Sequence, residues 1–315
     1  MIGSKKLTDG ALLTAIYIVL LLVAFYIPLI ELIATFLLPI PFIIFASRHD
    51  WKPALVMLSV SAVLSGLFAT VLSLPLTILM GIGGIMIGSA IHKGLSSYET
   101  WARGTVGFVI GIVFIFLVTQ LVFDVNIVNE MDSMIDESMQ ISQDIMEQFG
   151  LAEQAEEQME LIDQSVAMLK NLIPVGIALI AIVMAFLSQW ISYKVINRLD
   201  NKKLHFPPFR DLVFPTALVW IYFFTLIVSY FQLDRNGTLF LAVNNILVLT
   251  GLLMTIQGFS FIFYFAHQKN KSKALPIGSV ILTLLFPFLL LYLVRILGII
   301  DIGFRLRDRI VQDKK

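Results

Sequence analysis

Histidine is the residue type in this sequence best suited to proton transfer and metal binding, because the chain has no cysteine. The four histidines, His49, His92, His205 and His267, fall in polar loops or at their edges, between apolar segments. Neither an H-E-x-x-H zinc motif nor a G-x-x-x-x-G-K-[ST] phosphate-binding loop occurs. No carboxylate lies deep in an apolar segment, where a proton relay or an aspartyl protease would need one. We therefore expect no enzyme activity, no metal site and no cofactor.

Uncharged amides are the polar groups that do occur at or within the apolar segments. An amide in hydrocarbon must find a hydrogen-bond partner, so interhelix bonding is the first interpretation and contact with a solute is the alternative. Asn244, Gly251, Thr255 and Gly258 lie roughly on one helical face. The candidate solute-facing or interhelix residues are Gln120, Gln189, Asn244 and Gln257, with Asn245 beside them.

Composition identifies the environment of these residues as a membrane. The chain has 315 residues, of which 58% are hydrophobic and 14% are charged, and its mean hydropathy is +0.89. A soluble domain carries about 25% charged residues, and an apolar run of about 20 residues suffices to cross a bilayer. The sequence therefore predicts an all-α, polytopic membrane helical bundle of about 8–9 spans. The apolar segments are 11–30, 32–46, 53–72, 75–91, 104–123, 172–193, 212–232, 239–266 and 275–300.

One long polar run, 124–171, interrupts the apolar pattern. It contains twelve acidic residues, and its first basic residue is Lys170. Apolar residues recur in it at steps of three and four on both sides of Gly150, which is typical of amphipathic helices. We therefore predict a two-helix acidic hairpin outside the membrane, with Gly150 near its tip. Packing of the two arms explains the apolar stripe, and docking of a cell-envelope partner is the alternative.

The distribution of Lys and Arg predicts the orientation. With a cytoplasmic N-terminus, the loops near 5–6, 48–52, 93–103, 194–210 and 269–273 carry fourteen positive residues, against Lys170 and Arg235 on the other side. This prediction places the protein in the bacterial cytoplasmic membrane with 124–171 extracytoplasmic. Nine complete spans would leave the basic tail outside, whereas a hairpin at Pro287 would return it. A single last span is the slightly favoured interpretation.

Small residues line single faces of three predicted spans, a pattern that lets helix backbones approach closely. Ordinary bundle packing is the first interpretation, and a surface on which a partner slides is the alternative. The faces are Ser61, Ser65 and Ala69; Gly81, Gly84 and Gly88; and Gly104, Gly107 and Gly111.

The first 125 residues carry a resemblance to known membrane proteins. A basic start, the segment 11–15 (Ala-Leu-Leu-Thr-Ala), the proline-bearing segment 38–42 (Leu-Pro-Ile-Pro-Phe) and 51–55 (Trp-Lys-Pro-Ala-Leu) follow one another. This order resembles the YybS-like family of uncharacterised bacterial membrane proteins. More distantly, it is similar to the substrate-binding S components of energy-coupling-factor (ECF) vitamin transporters. In S components an Ala-x-x-x-Ala motif contacts the coupling subunit, and Ala11 and Ala15 match that spacing.

This resemblance implies a division of the chain and two hypotheses for its function. Residues 1–193 would form an S-component-like bundle of six spans that contains the hairpin, and 194–315 would add about three spans. The first hypothesis is a small-solute transport component that works with a membrane coupling subunit and an ATPase through Ala11 and Ala15. The alternative is a non-transport scaffold or sensor whose acidic hairpin binds an envelope partner. No nucleic acid is expected as a partner.

Overall fold

The structure of the chain is a computed structural model. It describes residues 2–28, 30–149, 162, 165–166, 168–231, 233–234 and 237–312. These residues are mostly helical and include no β-strand, which confirms the predicted all-α bundle. The chain divides into two compact units, unit 1 (Met1–Phe206) and unit 2 (Pro207–Lys315). This division lies after Phe206, whereas the sequence predicts one after Tyr193, because α8 continues beyond the apolar segment.

Unit 1 contains the six predicted spans of the first membrane block. The predicted short second span is formed by α2 and α3 together, which cover Glu31–His49 with a turn at Leu38 and Pro39. The helices of unit 1 are α1 Ile2–Tyr26, α2 Glu31–Leu37, α3 Ile40–His49, α4 Trp51–Phe68, α5 Ser73–His92, α6 Ser97–Val122, α7 Ile127–Gln148 and α8 Ile173–Asp200.

Helix α3 lies at the centre of unit 1. Its residues from Ile40 to Ser47 are all buried, and it packs against α1, α4, α5 and α8. The Tyr17 ring of α1 contacts Phe42 of α3 at 4.8 Å between ring centroids. The Tyr17 hydroxyl donates a 2.8 Å hydrogen bond to Thr77 Oγ1 of α5. A short helix that is apolar from Ile40 to Ala46 is thus surrounded on its sides by longer ones.

Glycines bring α5 into direct backbone contact with α3. A Cβ added at Gly84 would lie 2.7 Å from the Pro39 carbonyl oxygen, and one added at Gly88 would lie 2.5 Å from the Ile43 carbonyl oxygen. On the other side of α5, Gly107 of α6 approaches the Cα of Gly83 in the same way. The predicted close packing of these small-residue faces is confirmed.

Ionic contacts at one end of unit 1 connect three helices. The Arg48 guanidinium of α3 donates to both carboxylate oxygens of Asp200 in α8, at 2.7 and 3.2 Å. The Asp9 carboxylate of α1 lies 3.0 Å from His49 Nε2 and 3.7 Å from Arg48. Because Arg48 forms ion pairs with both Asp9 and Asp200, it connects the start of α1 to the end of α8.

Asp50 forms the corner between α3 and α4. Its φ of 66° is in the left-handed region, which residues other than glycine rarely adopt. The N–H of Trp51, together with a 3.0 Å hydrogen bond from the Ser89 hydroxyl, holds the pKa of the Asp50 carboxyl below its ordinary value. The ionised side chain thereby connects this corner to α5.

Helix α7 confirms the first arm of the acidic segment as an amphipathic helix of 22 residues. Four non-helical residues, with Asp124 at φ 54°, separate it from α6, so the arm is not a direct continuation of the span. The Lys170 ammonium lies 2.8 Å from the Asp132 carboxylate, so the end of the segment returns to the start of α7. Gly150 and most of the second arm lie outside the described residues.

Unit 2 is organised around its longest helix, α10. The predicted span 212–232 is a helix of only 13 residues, α9. Residues 212–215 before it are not helical, and the Leu212 carbonyl and the Phe214 N–H are hydrogen-bonded to side chains of α10. The helices of unit 2 are α9 Ala217–Ser229, α10 Thr238–Gln268, α11 Ala274–Leu285, α12 Pro287–Gly303 and α13 Leu306–Gln312, preceded by a 3₁₀ turn, Phe209–Asp211.

The last apolar stretch forms two helices, α11 and α12, rather than the single span that the sequence slightly favours. They are separated by Phe286 at φ −125° and ψ 61°, because Pro287 lacks an N–H and begins α12. Arg295 of α12 contacts Gly251 of α10, and Asp301 contacts Gln257. Residue numbers increase along both helices from the first contact to the second, so α12 runs in the same direction as α10.

We expect Gly84→Ala to lower the thermal stability of the protein, because the added Cβ meets the backbone of α3. Overpacking of this kind costs about 1–3 kcal/mol. Thermal unfolding in detergent measures the loss. The matched control is Gly176→Ala in α8, where a Cβ meets nothing within 4 Å. Equal melting temperatures for the two variants would contradict the close α3–α5 contact.

Candidate functional site

Gln257 is the centre of a buried hydrogen-bond network in unit 2. Its side chain is 0% exposed. Its Nε2 donates a 2.6 Å hydrogen bond to Asp301 Oδ2 of α12, and its Oε1 accepts a 3.0 Å bond from the N–H of Phe214. The amide therefore joins three segments of the chain, as the interhelix interpretation predicts.

Asp301 and Arg307 extend this network, and neither is among the residues predicted from the sequence. The Asp301 side chain is 2% exposed and accepts from Arg307 Nη2 at 3.0 Å. Arg307 also donates to the Arg210 carbonyl at 2.7 Å and to the Ser260 hydroxyl at 3.1 Å. The only sequence signal was their position directly after the last apolar segment, six residues apart. Buried charges need such pairing, so the network is structural.

Gln189 is the second fully buried amide and lies in unit 1. Its Nε2 donates to the Ser97 carbonyl at 2.9 Å and to the Tyr193 hydroxyl at 2.7 Å. Its Oε1 is buried without a hydrogen-bond partner in the described part of the chain, as are the hydroxyls of Thr100, Ser188 and Ser192. The contact between α6 and α8 thus combines interhelix bonding with unpaired polar atoms.

Gln120 and Asn244, the other two predicted amides, occupy different environments. Gln120 is exposed near the end of α6, and Asn244 is half-buried on α10. The neighbouring Asn245 is buried and donates to the Leu241 carbonyl at 2.8 Å. The structure does not bring the four predicted amides together, since they are divided between the two units.

Ala11 and Ala15 line an open groove on unit 1, between α1 and α4. We call it the α1–α4 groove; its volume is about 520 Å³. Both alanines are exposed, and their neighbours Gly10 and Thr14 keep this side of α1 shallow. Nearly all of the lining is apolar, except for Lys6 and Thr14. The lining residues are Lys6, Leu7, Gly10, Ala11, Thr14, Ala15, Phe45, Pro53, Val56, Met57, Val60 and Leu64.

Thr14 adds a polar group to the α1–α4 groove. The residue is only 5% exposed, and its side-chain hydroxyl makes no hydrogen bond with any residue that the structure describes. Other threonines of the same unit donate to the carbonyl four residues earlier, for example Thr35 to Glu31 at 2.8 Å and Thr105 to Trp101 at 3.0 Å. The Thr14 hydroxyl therefore keeps its hydrogen-bonding capacity.

The fold defines the class of the protein. Within the described residues, seven helices are long and apolar enough to cross a membrane, and two shorter apolar helices accompany them. The chain is thus an integral membrane protein of the polytopic, all-α class, in contact with the lipid bilayer. It belongs to the family described as "Predicted membrane protein (DUF2232)", whose family model matches residues 15–302.

A relative over the full length supports this assignment. The chain is 29% identical over 308 residues to "Uncharacterized protein YybS" of Bacillus subtilis (strain 168), covering 98% of this chain and 99% of the relative. The resemblance to the YybS-like family is confirmed. No solved structure matches the chain. The more distant similarity to S components of ECF transporters is not shown by these matches and stays a prediction.

We expect Gln257→Leu to destabilise the protein, because it leaves the Phe214 N–H without its partner and removes a donor from the buried Asp301. The cost of unpaired buried groups is about 1–3 kcal/mol. Gln120→Leu is the matched control, since Gln120 is exposed. Thermal unfolding in detergent compares the two. A stable Gln257→Leu protein with impaired function would favour the solute-facing alternative.

Proposed function

We propose that the protein is a membrane-embedded binding subunit that holds a transmembrane helix of a second membrane protein in the α1–α4 groove. The observation that carries this proposal is the position of Ala11 and Ala15, exposed side by side along an apolar groove. The proposal gives the chain no catalytic role, in keeping with the expectation from the sequence.

Small side chains support a helix as the occupant. Transmembrane helices associate where small residues allow their backbones to approach closely, because the lipid provides no hydrophobic driving force between them. Gly10 and Thr14, and Ala11 and Ala15, are two such pairs at a spacing of four. The opposite wall is formed by larger side chains of α4, among them Val56 and Val60. This shape suits a helix lying along α1.

The Thr14 hydroxyl favours a helix over a lipid chain. A hydroxyl that faces hydrocarbon without a partner is costly. An acyl chain offers no acceptor, whereas the backbone carbonyls or polar side chains of a closely packed helix do. The unpaired state of Thr14 in the described structure is therefore consistent with a protein partner that completes the site.

The partner that the sequence predicts is a membrane coupling subunit acting with an ATPase. This identity rests on the Ala-x-x-x-Ala spacing of Ala11 and Ala15 and on the absence of a phosphate-binding loop from the chain. The scaffold alternative assigns the partner to the cell envelope and its contact to the acidic segment. Helix α7 supports that alternative, since it exposes apolar side chains such as Met134 and Ile141.

Handling of a small solute is a second candidate function. The observation that favours it is the cluster of buried polar side chains around Gln189. In this cluster an amide oxygen and three hydroxyls have no hydrogen-bond partner among the described residues. Unpaired buried polar atoms of this kind are satisfied by water or by a ligand. The coupling partner and the solute would then belong to one transport system.

We expect Ala11→Leu and Ala15→Leu together to abolish partner binding, because the added side chains fill the groove. A photo-crosslinking amino acid at Val60 provides the measurement in intact cells. The expected result is crosslinking to a polytopic membrane protein that co-purifies with an ATPase, lost in the double variant. The matched control is Ala102→Leu, at an exposed position on α6 outside the groove lining.

Three outcomes would contradict the proposal. Crosslinking unchanged by the two leucines would show that the groove is not the contact. Crosslinking to lipid alone would show that the occupant is an acyl chain. Crosslinking to a second copy of this chain would replace the coupling partner with a homo-oligomer.

The topology that we propose has the N-terminus in the cytoplasm, 124–171 on the extracytoplasmic side and the C-terminal tail returned to the cytoplasm. The bias of Lys and Arg supports the first two parts. The direction of α12 supports the third, because α12 runs parallel to α10 and Arg307 reaches Ser260 in the C-terminal half of α10. A hairpin of α11 and α12 thus removes the conflict caused by the basic tail.

Because the chain has no cysteine, single cysteines test this topology directly. In intact cells we expect a membrane-impermeant maleimide to label Ser133→Cys. Ser272→Cys and Asp308→Cys should react only after permeabilisation. Labelling of Asp308→Cys from outside would support a complete last span, and protection of Ser133→Cys would reverse the orientation.

A further inference from the structure

A pocket of about 470 Å³ lies at the C-terminal end of α10, where the 3₁₀ turn, α10 and the start of α11 meet. We call it the basic pocket. Among the described residues its lining contains no carboxylate; the polar contributors are Arg210, His267, Asn270, Lys271 and Lys273. This composition predicts an anionic ligand.

The two pocket lysines are available to a ligand. Lys271 and Lys273 are exposed and form no ion pair with a described residue. Arg210 has one carboxylate nearby, Asp211, but its Nε is 4.0 Å from Asp211 Oδ1. The N-terminus of α11 follows Lys273 directly, and the positive end of its dipole adds to the same field.

The other wall of the basic pocket is apolar. The Phe209 and Phe263 rings meet edge to face at 5.6 Å between centroids. Ala266, Pro276 and Ile277 continue this surface. A free phosphate ion would leave the apolar wall unused, whereas an amphiphile would contact both parts.

The location of the basic pocket matches the bilayer surface. It lies at the end of α10, a 31-residue helix that is long enough to extend past the hydrocarbon, at the basic loop 269–273. Basic pockets between membrane helices on the cytoplasmic side are suited to phospholipid head groups. The pocket therefore has its charged part at head-group level and its apolar part towards the acyl chains.

We propose that the basic pocket binds an anionic phospholipid. The phosphate lies between Arg210, Lys271 and Lys273, and the beginning of an acyl chain packs against Phe209, Phe263 and Ile277. A lipid head group and a free phosphate ester both present a phosphate anion to the basic residues. The apolar wall favours the lipid, because only the lipid has an acyl chain to contact it. This site is in unit 2 and is independent of the α1–α4 groove of unit 1.

Native mass spectrometry of the purified full-length protein tests this site. The detergent solution receives phosphatidylglycerol or phosphatidylcholine. The expected result is preferential retention of phosphatidylglycerol, weakened roughly fivefold by Lys271→Gln and again by Lys273→Gln. Lys269→Gln is the matched control, because it removes the same charge from the same loop but does not line the pocket. We expect it to leave lipid retention unchanged.

The outcomes separate the possible ligands. Equal retention of the two lipids, or an equal loss in Lys269→Gln, would overturn the proposal, since binding would then depend on general surface charge. Displacement of the lipid by millimolar inorganic phosphate would overturn the lipid identity and indicate a free-anion site. Thermal unfolding of the three lysine variants checks that the fold is retained. Phe263→Ala keeps the charges but removes part of the apolar wall, so we expect it to weaken phosphatidylglycerol retention as well.

Discussion

The interior of a bilayer contains no water, so a polar group that enters it without a hydrogen-bond partner is costly. Gln257 shows how unit 2 meets this constraint. The residue lies on α10 and holds both the extended segment before α9 and the Asp301 carboxylate of α12. Arg307 neutralises that carboxylate and reaches back to Arg210 and Ser260. The short α9 and the broken last stretch depend on these contacts, because apolar surface alone would not select their positions.

Unit 1 meets a different requirement, which is close packing without a hydrophobic driving force between helices. Its glycines bring α5 to the backbone of α3 on one side and to α6 on the other. Van der Waals contact over such surfaces is what associates helices in lipid. The ionic contacts of Arg48 then connect the helices at one end of the same unit, where the Asp9 and Asp200 side chains are partly exposed.

Two surfaces of the protein have side chains that do not take part in these contacts, and the two surfaces differ in chemistry. The α1–α4 groove is mostly apolar and shallow along Ala11 and Ala15, and it contains the Thr14 hydroxyl, which has no hydrogen-bond partner among the described residues. The basic pocket combines charge with aromatic side chains at the end of a long apolar helix. We propose a transmembrane helix as the occupant of the first and an anionic phospholipid as the ligand of the second. The proposals of a helix partner and of a phospholipid ligand rest on these two surfaces.

The sequence by itself determined the membrane environment, the helical class, the six apolar spans of the first block and the family, because hydropathy and segment length depend on local composition. It also placed α7 as an amphipathic helix. Tertiary structure alone decided the environments of single polar residues. Gln257 and Gln120 have the same side chain in similar apolar surroundings, yet one is buried in a network and the other is exposed. The break at Pro287 is followed by a parallel pairing of α10 and α12 through Arg295 and Asp301, and Asp301 contacts a residue 44 positions away along the chain. Pairings at such distances depend on how whole helices pack, and local sequence patterns do not contain that information.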